Sequence, residues 1–190
     1  MMDPSSLYPD SFHPVQTSRR RDFKGDARHY TRTQRPVKYY FIDFGLTRRY
    51  KPEDMPPMEE IVMGADKSVP EHQPAALEQN TTKKCNPFPT DIYYLGNVMR
   101  TQLMEPSVGF EFLEPLVSDM VHEDPGKRPT MEEVLKRWEE IRKTLPMRKL
   151  RSRLVPRDEG RIDRFFRSLG HWFRRVGYIV RRTPAVPMPA

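Results

Sequence analysis

The sequence predicts a mainly α-helical fold with one short strand and a separate basic helix near its C-terminal end. Apolar residues recur at helical spacing in residues 91–105, 110–122 and 130–145. Residues 37–44 (VKYYFIDF) are β-branched and aromatic, which is typical of a buried strand. Residues 161–182 place apolar residues and arginines on opposite sides of a helix, so a strongly amphipathic helix is predicted there.

Composition limits the fold to one globular domain with exposed segments. The 36% apolar residues supply a core, whereas 20 Pro, 31% charged residues and a mean hydropathy of −0.79 are too polar for a fully packed chain. The single cysteine, Cys85, excludes an internal disulfide. The N-terminus lacks the basic start and apolar run of a secretory signal, and no window is apolar enough for a transmembrane span. We therefore expect an intracellular protein of the cytoplasm or nucleus.

The net charge of +7 is confined to one region. Residues 151–182 contain ten Arg and three acidic residues, so the rest of the chain is neutral in sum. A charge confined to one segment favours a local anionic partner over specific nucleic-acid binding.

The three helices predicted between residues 91 and 145 differ in the strength of their sequence signals. Residues 91–105 place apolar side chains close to one helical face and more on other faces, which predicts a well-buried helix. That face comprises Ile92, Leu95, Val98, Met99 and Leu103. Thr130 and Glu133 have the spacing of a capping box at the start of the helix predicted at 130–145. Its predicted stripe comprises Met131, Val134, Leu135, Trp138 and Ile141. Residues 46–90 are predicted to be extended, with a short helix at 74–79.

Four motifs follow one another along the chain. They are Asp43-Phe44-Gly45, Val69-Pro70-Glu71, the DIYYLG run that begins at Asp91, and the DPGKRPT run of residues 124–130. Each alone has a simpler explanation, such as a turn after a strand or an Asp at a helix N-cap. Their order, with helices between them, resembles the C-terminal lobe of a eukaryotic protein kinase over residues 37–145. The chain is similar to the kinase-like proteins of basidiomycete fungi.

The resemblance implies a role for several residues in a helical lobe whose short strand leads into the DFG motif. Asp43 would hold Mg²⁺ against the ATP phosphates, with Ile42 beside the same cofactor. Phe44, Gly45 and Asp91 would be structural, and Asp91 would accept hydrogen bonds from the backbone of the catalytic loop. Glu71 and Arg128 would form a bidentate ion pair.

Motifs that the same family needs for catalysis are absent from this sequence. It has no glycine-rich loop, no strand lysine and no H-R-D loop, so no catalytic residue is assigned and residues 1–190 are expected to be inactive alone. ATP, Mg²⁺ and a protein substrate follow from the resemblance only. Residues 1–36 are interpreted as the start of the lobe with a long loop insertion, and 146–190 as a basic tail. A non-catalytic, pseudokinase-like interaction module is the alternative.

The basic tail has two open interpretations. Its apolar stripe and opposing arginines suit peripheral association with an anionic membrane surface or docking in a helix-binding partner of the calmodulin type. Packing of the stripe on the lobe itself is the alternative. The residues assigned to the external site are Arg164, Arg167, Trp172, Phe173, Arg174 and Arg175.

Overall fold

The computed structural model describes residues 1–62, 64, 66–80 and 82–186. These residues are mainly helical, as predicted. The α-helices are α1 (Pro74–Gln79), α2 (Pro87–Met99), α3 (Glu114–Met120), α4 (Met131–Thr144), α5 (Met147–Leu150) and α6 (Arg161–Val180). Two antiparallel pairs of very short strands join β1 (Glu59–Glu60) to β2 (Lys84–Cys85) and β3 (Ser107–Val108) to β4 (Val155–Pro156).

The chain divides into two compact units. The first unit contains Met1–Arg48, Met147–Ser152 and the chain from Arg167 on, and the second contains Arg49–Pro146 and Arg153–Phe166. The four motifs are therefore distributed between the units, with Asp43-Phe44-Gly45 in the first and the other three in the second.

The core of the second unit lies between α2, α3 and α4. Ile92, Leu116, Met120 and Val134 are buried together, and Met99 and Ile141 pack against them. Close packing of α2 on α3 depends on Gly96, because a Cβ there would lie 2.7 Å from Cβ of Met120. The short helix predicted at 74–79 is confirmed as α1.

Helix α2 buries only part of the predicted face, because Met99 packs on the core beside Ile92 but the other three members of that face are exposed. It starts at Pro87, where the side chain of Asn86 accepts a hydrogen bond from the Phe88 N–H, and it continues as a π-helical turn over Arg100–Met104. Ile92 is buried as predicted, but Leu95, Val98 and Leu103 are exposed. The buried side also includes Tyr93, Gly96 and Asn97. The prediction was wrong because the inward side chains of Tyr93 and Asn97 have hydrogen-bond partners, which apolar periodicity does not register.

Helix α4 confirms its predicted start. The Thr130 hydroxyl accepts a hydrogen bond from the Glu133 N–H, and the Glu133 carboxylate accepts one from the Thr130 N–H. Of the predicted stripe, Val134 is buried and Ile141 packs on the core, whereas the other members are exposed: Met131, Leu135 and Trp138. The helix predicted at 110–122 is shorter, with a 3₁₀ turn at Glu111–Leu113 leading into α3.

An ion pair and a backbone hydrogen bond fix residues 153–159, the segment after α5, within the second unit. Arg153 donates two hydrogen bonds to the Glu159 carboxylate, at 2.7 and 2.6 Å, and the Glu159 side chain is almost fully buried. The backbone N–H of Arg157 donates to the Pro106 carbonyl next to the β3–β4 pair. This bidentate pair has no signal in the sequence, because its partners are six residues apart and lie outside any predicted element.

Residues 1–48 of the first unit consist of turns and isolated bridges, and the predicted buried strand at 37–44 is wrong. Val37 is buried, and antiparallel hydrogen bonds join residues 1–3 to residues 38–40 around a single bridge between Met2 and Tyr39. Phe41 is 91% exposed and Asp43 has a left-handed φ of 64°. A β-rich sequence forms a strand only where a neighbour pairs with its backbone, and among the described residues the pairing ends at Tyr40.

Helix α6 confirms the predicted amphipathic helix and ends two residues earlier, at Val180. Residues 161–166 belong to the second unit and the remainder to the first. No residue of α6 is buried, and the apolar stripe is exposed along its length.

Two glycine substitutions test the packing of these helices. Gly96→Ala is expected to lower the free energy of unfolding by about 1–3 kcal/mol, because the added methyl overlaps Met120 and Val121. Gly170→Ala in α6 meets no atom within 4 Å and is expected to raise it by about 0.5–1 kcal/mol. Urea unfolding followed by circular dichroism measures both, and equal effects at the two sites would contradict the packing of α2 on α3.

Candidate functional site

The candidate site is centred on the ion pair between Glu71 and Arg128. Glu71 lies in the 3₁₀ turn Pro70–His72, directly after the fully buried Val69. Arg128 follows the turn Pro125–Lys127, which the Asp124 carboxylate caps by accepting a hydrogen bond from the Gly126 N–H. These two turns bring the predicted partners together across 57 residues of sequence.

The Arg128 guanidinium uses all five of its N–H donors. Nη1 and Nη2 donate to the two Glu71 carboxylate oxygens at 2.8 and 2.7 Å, which is the bidentate geometry expected of this pair. The remaining donors bond the backbone carbonyls of His122, Pro89 and Glu123, at 2.8, 3.0 and 3.4 Å. The Arg128 side chain is 0% exposed and that of Glu71 is 14% exposed, so the charge is both buried and satisfied.

Helix α2 adds two more contacts to this pair. The Thr90 hydroxyl donates to Glu71 Oε1 at 2.8 Å, and the Tyr93 ring lies 4.9 Å from the Arg128 guanidinium carbon. Burial desolvates the Glu71 carboxylate and acts to raise its pKa, but the hydrogen bonds from Arg128 and Thr90 outweigh it. The pKa of Glu71 is therefore lowered from its ordinary value of 4.5.

Asp91 is placed very differently from Glu71. The helix begins four residues before it, so Asp91 is not the N-cap, and its carboxylate has no hydrogen-bond or ion-pair partner among the described residues. The side chain is exposed, yet desolvation by the surrounding protein raises the pKa of Asp91 above its ordinary value of 3.8. Helix α2 thus presents an acceptor that has no donor among the described residues.

A second polar cluster, which the sequence analysis missed, holds the segment before Val69 to α2. The Asn97 amide donates to the Asp66 carboxylate at 2.6 Å and to the Ser68 hydroxyl at 3.1 Å, and the Tyr93 hydroxyl donates to the Ser68 carbonyl. Desolvation acts to raise the pKa of Asp66, but bonds from Ser68 and Asn97 and the charge of Arg100 lower it. The spacing of Tyr93 and Asn97, one helical turn apart, was the available signal.

The Asp43-Phe44-Gly45 motif does not form a site with other residues of the first unit. The side chains of Ile42, Asp43 and Phe44 are exposed, and a turn closed by the Thr47 N–H and the Phe44 carbonyl carries Gly45. Within the described parts of the chain, no group of three or more His, Cys, Asp or Glu is positioned to hold a metal ion. A single exposed carboxylate does not fit a Mg²⁺–ATP site.

No family model, curated protein or solved structure matches this chain. The resemblance to protein kinases therefore rests on the four sequence motifs.

The contribution of the buried ion pair to the free energy of unfolding can be compared with that of an exposed ion pair with the same N–O distance. Arg128→Ala leaves the Glu71 carboxylate desolvated and unpaired, and we expect the free energy of unfolding to fall by about 3–5 kcal/mol. The control is Arg142→Ala, because Arg142 also lies 2.7 Å from its partner Glu139 but both side chains are about half exposed. We expect about 0.5 kcal/mol or less there. Similar losses for the two variants in urea unfolding would contradict the assigned role of Arg128.

The two acidic residues are expected to respond to pH with opposite signs. The folded state lowers the pKa of Glu71, so its stabilisation is complete above pH 4.5 and is lost as the pH falls through the folded pKa. Glu71→Gln should therefore destabilise at neutral pH, with a difference from wild type that shrinks in acid. The pKa of Asp91 is raised, so its charge opposes folding at neutral pH. Asp91→Asn should stabilise there and have no effect below its ordinary pKa.

Urea unfolding of the three proteins from neutral pH down to about pH 3 measures these differences. A loss of stability in Asp91→Asn at neutral pH would show that this carboxylate has a partner in the folded chain.

Proposed function

We propose that residues 37–145 form a kinase-like C-terminal lobe and that residues 1–190 do not transfer phosphoryl groups by themselves. The observation that carries the proposal is the buried bidentate pair of Glu71 and Arg128. It joins the Val69-Pro70-Glu71 and DPGKRPT motifs in the arrangement that the family resemblance implies. Motifs that matched only by chance have no reason to bring these two residues together.

The state of Asp91 supports the same proposal. In the family, the equivalent carboxylate accepts backbone hydrogen bonds from the catalytic loop, and this sequence contains no H-R-D loop. An exposed, desolvated carboxylate with no donor among the described residues is what such a helix presents when that loop is not among residues 1–190. Its exposure leaves the Asp91 carboxylate accessible to the hydrogen-bond donors of a partner segment.

The pairing within the first unit also supports it. Residues 1–3 and residues 38–40 are joined by antiparallel backbone hydrogen bonds. The residues between them therefore form a long loop between two paired segments. This agrees with the interpretation of residues 1–36 as the start of the lobe with a long loop insertion before Asp43.

An interaction module is the second candidate, and the outer face of α2 favours it. Asp91, Leu95 and Val98 follow one another at helical spacing and are all exposed. Together they offer a hydrogen-bond acceptor beside an apolar strip, which suits a partner segment that supplies backbone N–H donors and apolar side chains. On this hypothesis the lobe binds rather than catalyses.

An experimental structure of the purified chain tests the fold assignment. We expect α2, α3 and α4 to superpose on the late helices of a protein kinase C-terminal lobe, with the Glu71–Arg128 pair at the equivalent position. A helix order or pairing that cannot be superposed would remove the basis of the proposal.

The activity assay tests the functional half. Residues 1–190 are expected neither to hydrolyse ATP nor to label a generic protein substrate, because Asp43 is the only carried-over Mg²⁺ ligand and the catalytic Asp is absent. The measurement is transfer of radiolabelled phosphate at saturating Mg²⁺–ATP, with Asp43→Ala as the matched variant. Transfer by the wild type that disappears in Asp43→Ala would show that the chain is an active enzyme.

A further inference from the structure

Helix α6 presents a continuous apolar stripe to solvent. At 100° per residue its members occupy one side of the helix, and each is exposed. They are Ile162, Phe165, Phe166, Leu169, Trp172, Phe173, Val176, Ile179 and Val180. Four of the nine are aromatic, and Trp172 is 55% exposed. An apolar stripe of nine exposed side chains on one side of a helix marks an interaction surface.

The opposite face of α6 is the one that contacts the first unit. His171, Arg175 and Tyr178 are half-buried, and the Tyr178 hydroxyl lies 3.1 Å from the Thr31 hydroxyl. This half of the helix is therefore attached through its polar face, which leaves the apolar stripe directed outward. A partner that wraps around a helix needs both faces, whereas a flat surface needs only the stripe.

Positive charge borders the stripe on both sides. Arg161 lies at one edge, and Arg174 and Arg181 lie at the other; all three side chains are exposed. Arginines at the edges of an apolar face bury their aliphatic parts and keep the guanidinium at the level of lipid headgroups. The charge of the bordering residues selects anionic lipids.

We propose that α6 lies flat on an anionic lipid bilayer, with the Trp172–Phe173 side of the helix inserted at the boundary of headgroups and acyl chains. No helix of the described residues is long and apolar enough to cross the bilayer, so the contact is with one leaflet. This surface is separate from the residues on which the kinase-like proposal depends, and it requires no catalytic activity.

Vesicle co-sedimentation of the full chain tests the proposal. We expect binding to phosphatidylcholine vesicles that contain about a third phosphatidylserine, and little binding to phosphatidylcholine alone. Raising the salt should weaken binding steeply, because the Debye length falls from about 10 Å at 0.1 M to about 3 Å at 1 M.

Two variant pairs separate the apolar from the ionic contribution. Trp172→Ser with Phe173→Ser should weaken binding at least about tenfold, whereas Met131→Ser with Leu135→Ser, which are also exposed but lie on α4, should leave it unchanged. Arg174→Gln with Arg181→Gln should weaken binding about fivefold per arginine. The control with the same charge change is Lys136→Gln with Lys143→Gln on the exposed side of α4.

Fluorescence reports directly on the inserted face, because the chain has two tryptophans. In the Trp138→Phe variant, Trp172 is the remaining reporter, and anionic vesicles should shift its emission to the blue and brominated lipids should quench it. In Trp172→Phe, the reporter Trp138 should show neither change. Equal responses from both variants would place the bilayer contact elsewhere.

Three outcomes would overturn the proposal. The first is no binding to anionic vesicles at low salt, and the second is binding that the Trp172 and Phe173 substitutions leave unchanged. The third is self-association measured by analytical ultracentrifugation that the same double substitution abolishes while vesicles bind neither protein, which would assign the stripe to a second copy of the chain. Circular dichroism confirms that each variant is folded before it is compared.

Discussion

The guanidinium of Arg128 is the group on which the second unit depends. Its five donors reach the end of the Val69-Pro70-Glu71 segment, the first turn of α2 and the chain that leaves α3. A buried charge is costly unless every donor is satisfied, so these segments are fixed relative to one another by a single side chain. The small apolar core alone sets no such register, because apolar contacts are non-directional.

Sequence predicted the parts of the structure that are specified by chemistry over a short range. The capping box of Thr130 and Glu133, the short helix α1 and the amphipathic period of α6 all depend on local residue types. The pairing of Glu71 with Arg128 could be predicted only because their motifs resemble those of a known family. Neither residue has a local signal that identifies its partner across 57 positions.

The incorrect predictions concern burial, which depends on neighbours that the sequence does not identify. Residues 37–44 have strand composition, but the described structure pairs only their first part. On α2 the apolar Leu95 and Val98 face outward, while the polar Asn97 is buried and hydrogen-bonded. Asn97 bonds Asp66 and Thr90 bonds Glu71, so both residues fix the chain that precedes α1. Apolar periodicity cannot predict the burial of such polar residues.

The discontinuity of the first unit has a consequence for biosynthesis. Its segments come from residues 1–48, from Met147–Ser152 and from the chain after Arg167, whereas the α2–α4 core of the second unit lies within one continuous stretch. A ribosome releases these regions in order, so the central core can fold while the early residues still wait for their distant partners. During that interval Leu7, Ala27 and Val37, which are buried in the folded chain, belong to an incomplete unit. Molecular chaperones are therefore expected to meet these early residues first on the nascent chain.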